Sequence, residues 1–178
     1  MHRDITHSSF EGNGVPYTTA DGGALYVQDY AVVTVTSSSF TGNESTLAGG
    51  AIDTDTRATI TLIDCDFIGN RTGQDGGAVC VNGALLDATD CTFTGNEVTS
   101  VDGSSDGGGA IHAYLGDSYM PYSGLTLTEC TFTGNQTVDG DPDDDDVAMG
   151  GAILIRTRAA DEDDDPEPEH ESTAACSA

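Results

Sequence analysis

Apolar and polar positions recur in register along this chain. Aligned on Phe10, Phe40, Phe67, Phe93 and Phe132, the position five residues earlier holds Ile5, Val35, Leu62, Ala88 and Leu127, and the position seven earlier holds Val33, Ile60, Leu86 and Leu125. A two-residue spacing puts both columns on one face of an extended strand. Three residues before each Phe stands a polar residue (His7, Ser37, Asp64, Asp90, Glu129), and two before stands Ser8, Ser38, Cys65, Cys91 or Cys130. The latter column shares the Phe side, so the alternation breaks at the polar column and predicts a bend between two short strands. After each Phe, a Gly-Asn pair ending at Asn13, Asn43, Asn70, Asn96 or Asn135 predicts a turn, because both residues tolerate positive φ. A second phrase, Gly-Gly-Ala followed by Leu, Ile or Val, starts at Gly22, Gly49, Gly76, Gly108 and Gly150 and opens a third strand.

The two phrases alternate, and the Gly-Gly-Ala starts are separated by 27, 27, 32 and 42 residues. Self-similarity at this period signals stacked units, each too small to bury its own apolar face. Three short strands and three bends in a repeat of 27 residues make one coil of an all-β parallel solenoid. With coils ~4.8 Å apart, the Phe rings stack, and the Asn side chains form a ladder that donates and accepts along the stack. Roughly four full coils and two partial ones are expected on this reading.

Gly-Gly-Ala-[Ile/Leu/Val] alternating with Phe-x-x-Asn resembles the repeat of the polymorphic outer-membrane proteins, and the resemblance covers roughly residues 5–155. It implies a right-handed parallel β-helix of the pectin-lyase-like type and an adhesin-like stalk at the cell surface or secreted. Residues 1–158 would form this repeat domain and 159–178 a disordered acidic tail. The first coil lacks its Gly-Gly-Ala half and the last is not completed, so the chain reads as a piece of a longer solenoid, or as one whose ends associate end to end. MHRDITHSSF carries no apolar stretch of a secretion signal, and no run of ~18 apolar residues predicts a membrane-spanning helix.

Composition narrows the partners. The chain has 31 Asp+Glu against five Arg and no Lys, for a formal net charge of −26 and a pI near 4.1. Such a charge disfavours nucleic acids and anionic membrane surfaces. The lysine-free, Asp-rich pattern is that of a salt-adapted, halophilic protein. Five cysteines show no metal-ligand or Cys-x-x-Cys spacing; those within the repeats read as free thiols buried as apolar filler, and Cys176 in the tail as an exposed thiol.

No catalytic constellation emerges. The nearest is Asp53 and Asp55 with Arg57, whose parity puts all three on one solvated strand face; carboxylates on neighbouring coils could match the ~6.5–9.5 Å of an inverting hydrolase. His112 reads as a strand-surface residue. The alternative to a scaffold is therefore a polysaccharide lyase or glycoside hydrolase. Repeat proteins place function in irregular insertions, and here these are 97–107, 114–124 and 136–149. The second carries Tyr114, Tyr119 and Tyr122, candidates for stacking on a polysaccharide or a surface protein. The third carries Asp141, Asp143 and Asp145, which could supply oxygen ligands to calcium but lack EF-hand spacing. No other cofactor is expected.

Overall fold

A computed structural model describes residues 2–14, 21–100, 107–116, 123–139 and 149–157. The chain winds through β1 (His2–Thr6), β2 (Ser9–Glu11) and β3 (Leu25–Val27), then β4 (Val32–Thr36), β5 (Ser39–Thr41), β6 (Glu44–Ser45) and β7 (Ile52–Thr54). The next coils repeat the order: β8 (Thr59–Ile63), β9 (Asp66–Ile68), β10 (Arg71–Thr72) and β11 (Val79–Asn82), then β12 (Leu85–Thr89), β13 (Thr92–Thr94), β14 (Glu97–Ser100) and β15 (Ile111–Leu115). β16 (Gly124–Thr128), β17 (Thr131–Thr133), β18 (Gln136–Asp139) and β19 (Ile153–Thr157) follow.

Like strands stack in parallel into four sheets. Sheet 1 is β1-β4-β8-β12-β16, sheet 2 is β2-β5-β9-β13-β17, sheet 3 is β6-β10-β14-β18 and sheet 4 is β3-β7-β11-β15-β19. The periodicity predicts three strands per coil, and the structure has four. The addition is sheet 3, whose first two strands, β6 and β10, have two residues each and are too short to show alternation.

The columns read from the pattern are the registers of the sheets. Val33, Ile60, Leu86 and Leu125 pair along sheet 1, as do Ile5, Val35, Leu62, Ala88 and Leu127. Phe10, Phe40, Phe67, Phe93 and Phe132 stack with centroids 4.6, 4.8, 4.8 and 4.8 Å apart. The bend at the polar column has a definite geometry: His7, Ser37, Asp64, Asp90 and Glu129 all sit in the left-handed region, at φ between 48 and 55°. In the Asn ladder each side chain takes the backbone N–H of the Asn one coil earlier, as in Asn43 N to Asn70 Oδ1 at 3.0 Å. Asn43, Asn70 and Asn96 are fully buried.

Gly-Gly-Ala has a separate reason for each glycine. Gly49 has φ 57°, which a side chain disfavours. A Cβ on Gly50 would lie 2.1 Å from the Gly77 carbonyl oxygen of the next coil, so only glycine lets the coils close. Cys65, Cys91 and Cys130 are free, and Cys65 and Cys91 are buried as expected of filler. The free-thiol expectation fails at Cys80, which is disulfide-bonded.

Candidate functional site

The outer face of sheet 4 carries Tyr26, Asp53, Cys80, His112 and Leu154 side by side in register. An outer face would ordinarily be wet, yet Asp53, Cys80 and His112 are 0–1% exposed. The residue just before each Gly-Gly explains this. Asp21, Ala48 and Asp75 form a column joined by isolated parallel bridges, and each lies over the outward side chain of the following coil. Asp21 sits beside Asp53, Ala48 packs on Cys80, and Asp75 bonds His112. Gly107 continues the series, since a Cβ there would meet Leu154 Cδ2 at 3.1 Å.

The chemistry of this sealed layer follows from what covers what. His112 Nδ1 is bonded to Asp75 Oδ1, and His112 Nε2, Asp75 Oδ2 and Asp53 Oδ1 are buried without a hydrogen-bond partner. Burial, and after it the Asp21 carboxylate, holds the Asp53 carboxyl well above the usual carboxylate range, with Asp55 and Asp75 adding to the effect. Cys80, flanked by Asp53 and by a His oriented by an Asp, has neighbours of the kind a thiol nucleophile needs. Its sulfur, however, is held in a disulfide.

Because the folded state favours protonated Asp53, this group's contribution to stability is full at acid pH and is lost as pH rises through its raised value. Asp53→Asn removes the buried charge while keeping the shape, and should therefore stabilise the protein once pH is above the raised Asp53 value. The gain should shrink on acidification. Denaturant midpoints of the two proteins across pH measure it, and a gain unchanged at acid pH would contradict a buried, titrating Asp53.

Sequence parity places Asp53, Asp55 and Arg57 together on a solvated face, and the structure separates them. β7 ends at Thr54, and Arg57 is left-handed at φ 65°, so strand parity does not extend to it. Asp53 is buried, Asp55 is half-buried with Oδ1 accepting from the Thr56 N–H at 2.6 Å, and Arg57 is exposed. The strand-surface reading of His112 is likewise overturned, because Asp75 covers it. Tyr114 lies at the end of β15, half-buried and in register with Asn82 and Arg156. Tyr119, Tyr122, Asp141, Asp143 and Asp145 lie outside the described residues. Among the described residues no group of His, Cys, Asp or Glu is arranged to hold a metal ion, and no helix is long and apolar enough to cross a membrane.

Arg57 instead meets Tyr30, which the sequence reading passed over. The corner between sheets 4 and 1 is a stack of tight turns: Ala31 N donates to Gln28 O, and one coil on, Ala58 N donates to Asp55 O, both at 3.1 Å. Tyr30 and Arg57 occupy equivalent places in these turns. The guanidinium lies 5.3 Å from the Tyr30 ring centroid, and Nη1 donates to the phenol oxygen. Together with Ala58, Thr59 and Leu85 they line an open cleft of about 490 Å³. The described ends of the 114–124 segment adjoin the Gly83–Ala84 turn, since Gly83 N donates to Tyr114 O and Gly124 N to Ala84 O. A second, polar groove of about 390 Å³ runs along the bend between sheets 1 and 2, among Ser37, Ser39, Asp64 and Asp66. The signal that could have found Asp75 is its fixed place before Gly-Gly, which the repeat alignment contains.

Neither the curated proteins nor the solved structures returned a match to this chain. The family model described as the right handed beta helix region matches residues 2–132, which agrees with the four parallel sheets and their registers. The chain belongs to the right-handed β-helix family.

Proposed function

We propose that this protein is a non-catalytic β-helix scaffold of the extracellular or cell-surface, adhesin-like type. Its work is to present side chains and loops along its corners for a protein or carbohydrate partner. The carrying observation is the burial of its acid–base groups. Asp53, Asp75 and His112, the strongest candidates for proton transfer, are 0–1% exposed, and a general acid or base must reach its substrate within hydrogen-bond distance. The repeat's resemblance to polymorphic outer-membrane proteins supports the surface assignment. The dominance of Asp over Arg supports a salt-rich surrounding.

Two measurements test this reading. Purified protein incubated with neutral and acidic polysaccharides should release no reducing ends or unsaturated products above an Asp53→Asn, His112→Asn double variant. Turnover that disappears in that variant would replace the scaffold by a lyase or hydrolase. Antibody labelling of intact source cells should detect the protein at the surface or in the medium, and detection only after lysis would remove the adhesin-like assignment.

A further inference from the structure

The Tyr30–Arg57 corner has features that the solenoid's stability does not require. Asp29 and Tyr30 are consecutive residues with positive φ, 21° and 56°, and Arg57 has φ 65°. Side chains disfavour this region, although the bend column of this solenoid also occupies it. The equivalent turn one coil further on uses Gly83, at φ 59°, and so avoids the cost. Tyr30 is 63% exposed and Leu85 37% exposed, two large apolar surfaces facing solvent on either side of the cleft. Leu85 leans over Gly124, its register neighbour, where the missing side chain leaves room.

Charge identifies what would fit. The chain has 31 carboxylates and five arginines, yet the Arg57 guanidinium forms no ion pair among the described residues. The nearest carboxylate in sequence, Asp55, directs Oδ1 to the Thr56 N–H instead. The guanidinium lies against Tyr30, near the ring face and the phenol oxygen, which leaves its other N–H groups to a ligand. A guanidinium beside an aromatic face binds a carboxylate with charge-assisted hydrogen bonds. The rest of the lining argues for the body that carries the carboxylate. Tyr30 and Leu85 present apolar surface, and Thr59 supplies a single side-chain hydroxyl. A sugar ring, with hydroxyls around its rim, would leave most of them unmatched here. An apolar side chain would not.

We propose that this corner binds a protein segment presenting a carboxylate next to an apolar side chain, such as a chain terminus. The proposal rests on the binding-scaffold reading and names the kind of partner it takes. Arg57 holds the carboxylate, while Tyr30 and Leu85 cover the apolar group. The long-range field of a −26 chain opposes any anion, but that field is screened beyond ~8–10 Å at ordinary salt, and the contact with Arg57 is within that range.

The test uses the full chain and N-acetyl-leucyl-phenylalanine with a free carboxylate, followed by NMR of the Tyr30 ring and Arg57 side chain. Saturable binding with a Kd on the order of 1 mM is expected for so small a probe. The C-terminal amide should bind about tenfold more weakly or not at all, as the loss of a charge-assisted contact requires. Arg57→Gln and Tyr30→Leu should abolish binding, Arg57→Lys should keep part of it, and Glu44→Gln on sheet 3 should change nothing. Both corner residues are exposed, so circular dichroism should show the fold retained. Equal binding of acid and amide, binding retained in Arg57→Gln, or no saturable shift by ~10 mM would overturn the proposal. So would preferential binding of a uronic-acid trisaccharide, which would assign the corner to a sugar acid. Product formed from that trisaccharide would instead sink the non-catalytic reading, a result distinguishable from failure of the dipeptide to bind.

Discussion

Replacing Phe93 with alanine should lower the unfolding free energy by about 3–5 kcal/mol, as for a fully buried aromatic ring deleted from a packed core. Phe93 is 0% exposed and lies between Phe67 and Phe132, with centroids 4.8 Å away on both sides and interplanar angles of 5° and 3°. Deletion leaves two ring faces unpartnered, and the coils above and below cannot close the gap because their backbones are fixed by ladder hydrogen bonds in four sheets. Phe10, at the end of the column and only half-buried, touches one ring, so Phe10→Ala should cost less than half as much. Urea midpoints for the two variants measure the contrast. Equal losses would mean that the column is not the continuous core described here.

Asn70→Leu should be as damaging, by a different mechanism. Asn70 Oδ1 accepts from the backbone N–H and Nδ2 of Asn43, at 3.0 and 2.9 Å, and its own Nδ2 donates to Phe40 O at 3.0 Å and Asn96 Oδ1 at 2.9 Å. Leucine preserves the volume and removes all four bonds, stranding the Asn43 N–H and the Phe40 carbonyl, both on the preceding coil. At about 1–3 kcal/mol per orphaned group, the loss is about 2–6 kcal/mol. Asn13 is exposed at the end of the ladder, and Asn13→Leu should stay within about 1 kcal/mol. If Asn70→Leu unfolds at the wild-type urea midpoint, the ladder contributes packing volume rather than hydrogen bonding. The same burial bears on the sequence Asn70-Arg-Thr, an acceptor pattern for N-linked glycan whose asparagine is enclosed.

Much of this architecture was legible because each coil repeats one local pattern. Two-residue alternation marks sheets 1 and 2, glycine marks the places where backbone must turn or approach backbone, and identical phrases place Phe on Phe and Asn on Asn. The site was less legible. Asp53, Asp55 and Arg57 share parity on paper, but the turn at 55–58 rotates Arg57 out of the strand. The glycine-like conformation of Tyr30 also has no marker in its residue type.

The sequence by itself determined the repeat, the inward columns and the positions of the bends, because these depend on interactions within a few residues and on the identity of equivalent positions. Only the tertiary structure decided which outward groups are sealed and which are open. Asp75 and His112 are 37 residues apart, and they meet because the residue before Gly-Gly reaches the outer face of the next coil's strand. That relation belongs to the stack and not to either segment. It turns a strand-surface histidine into a buried one, raises Asp53 by removing it from water, and leaves Arg57 and Tyr30 at the corner as the exposed cation and ring.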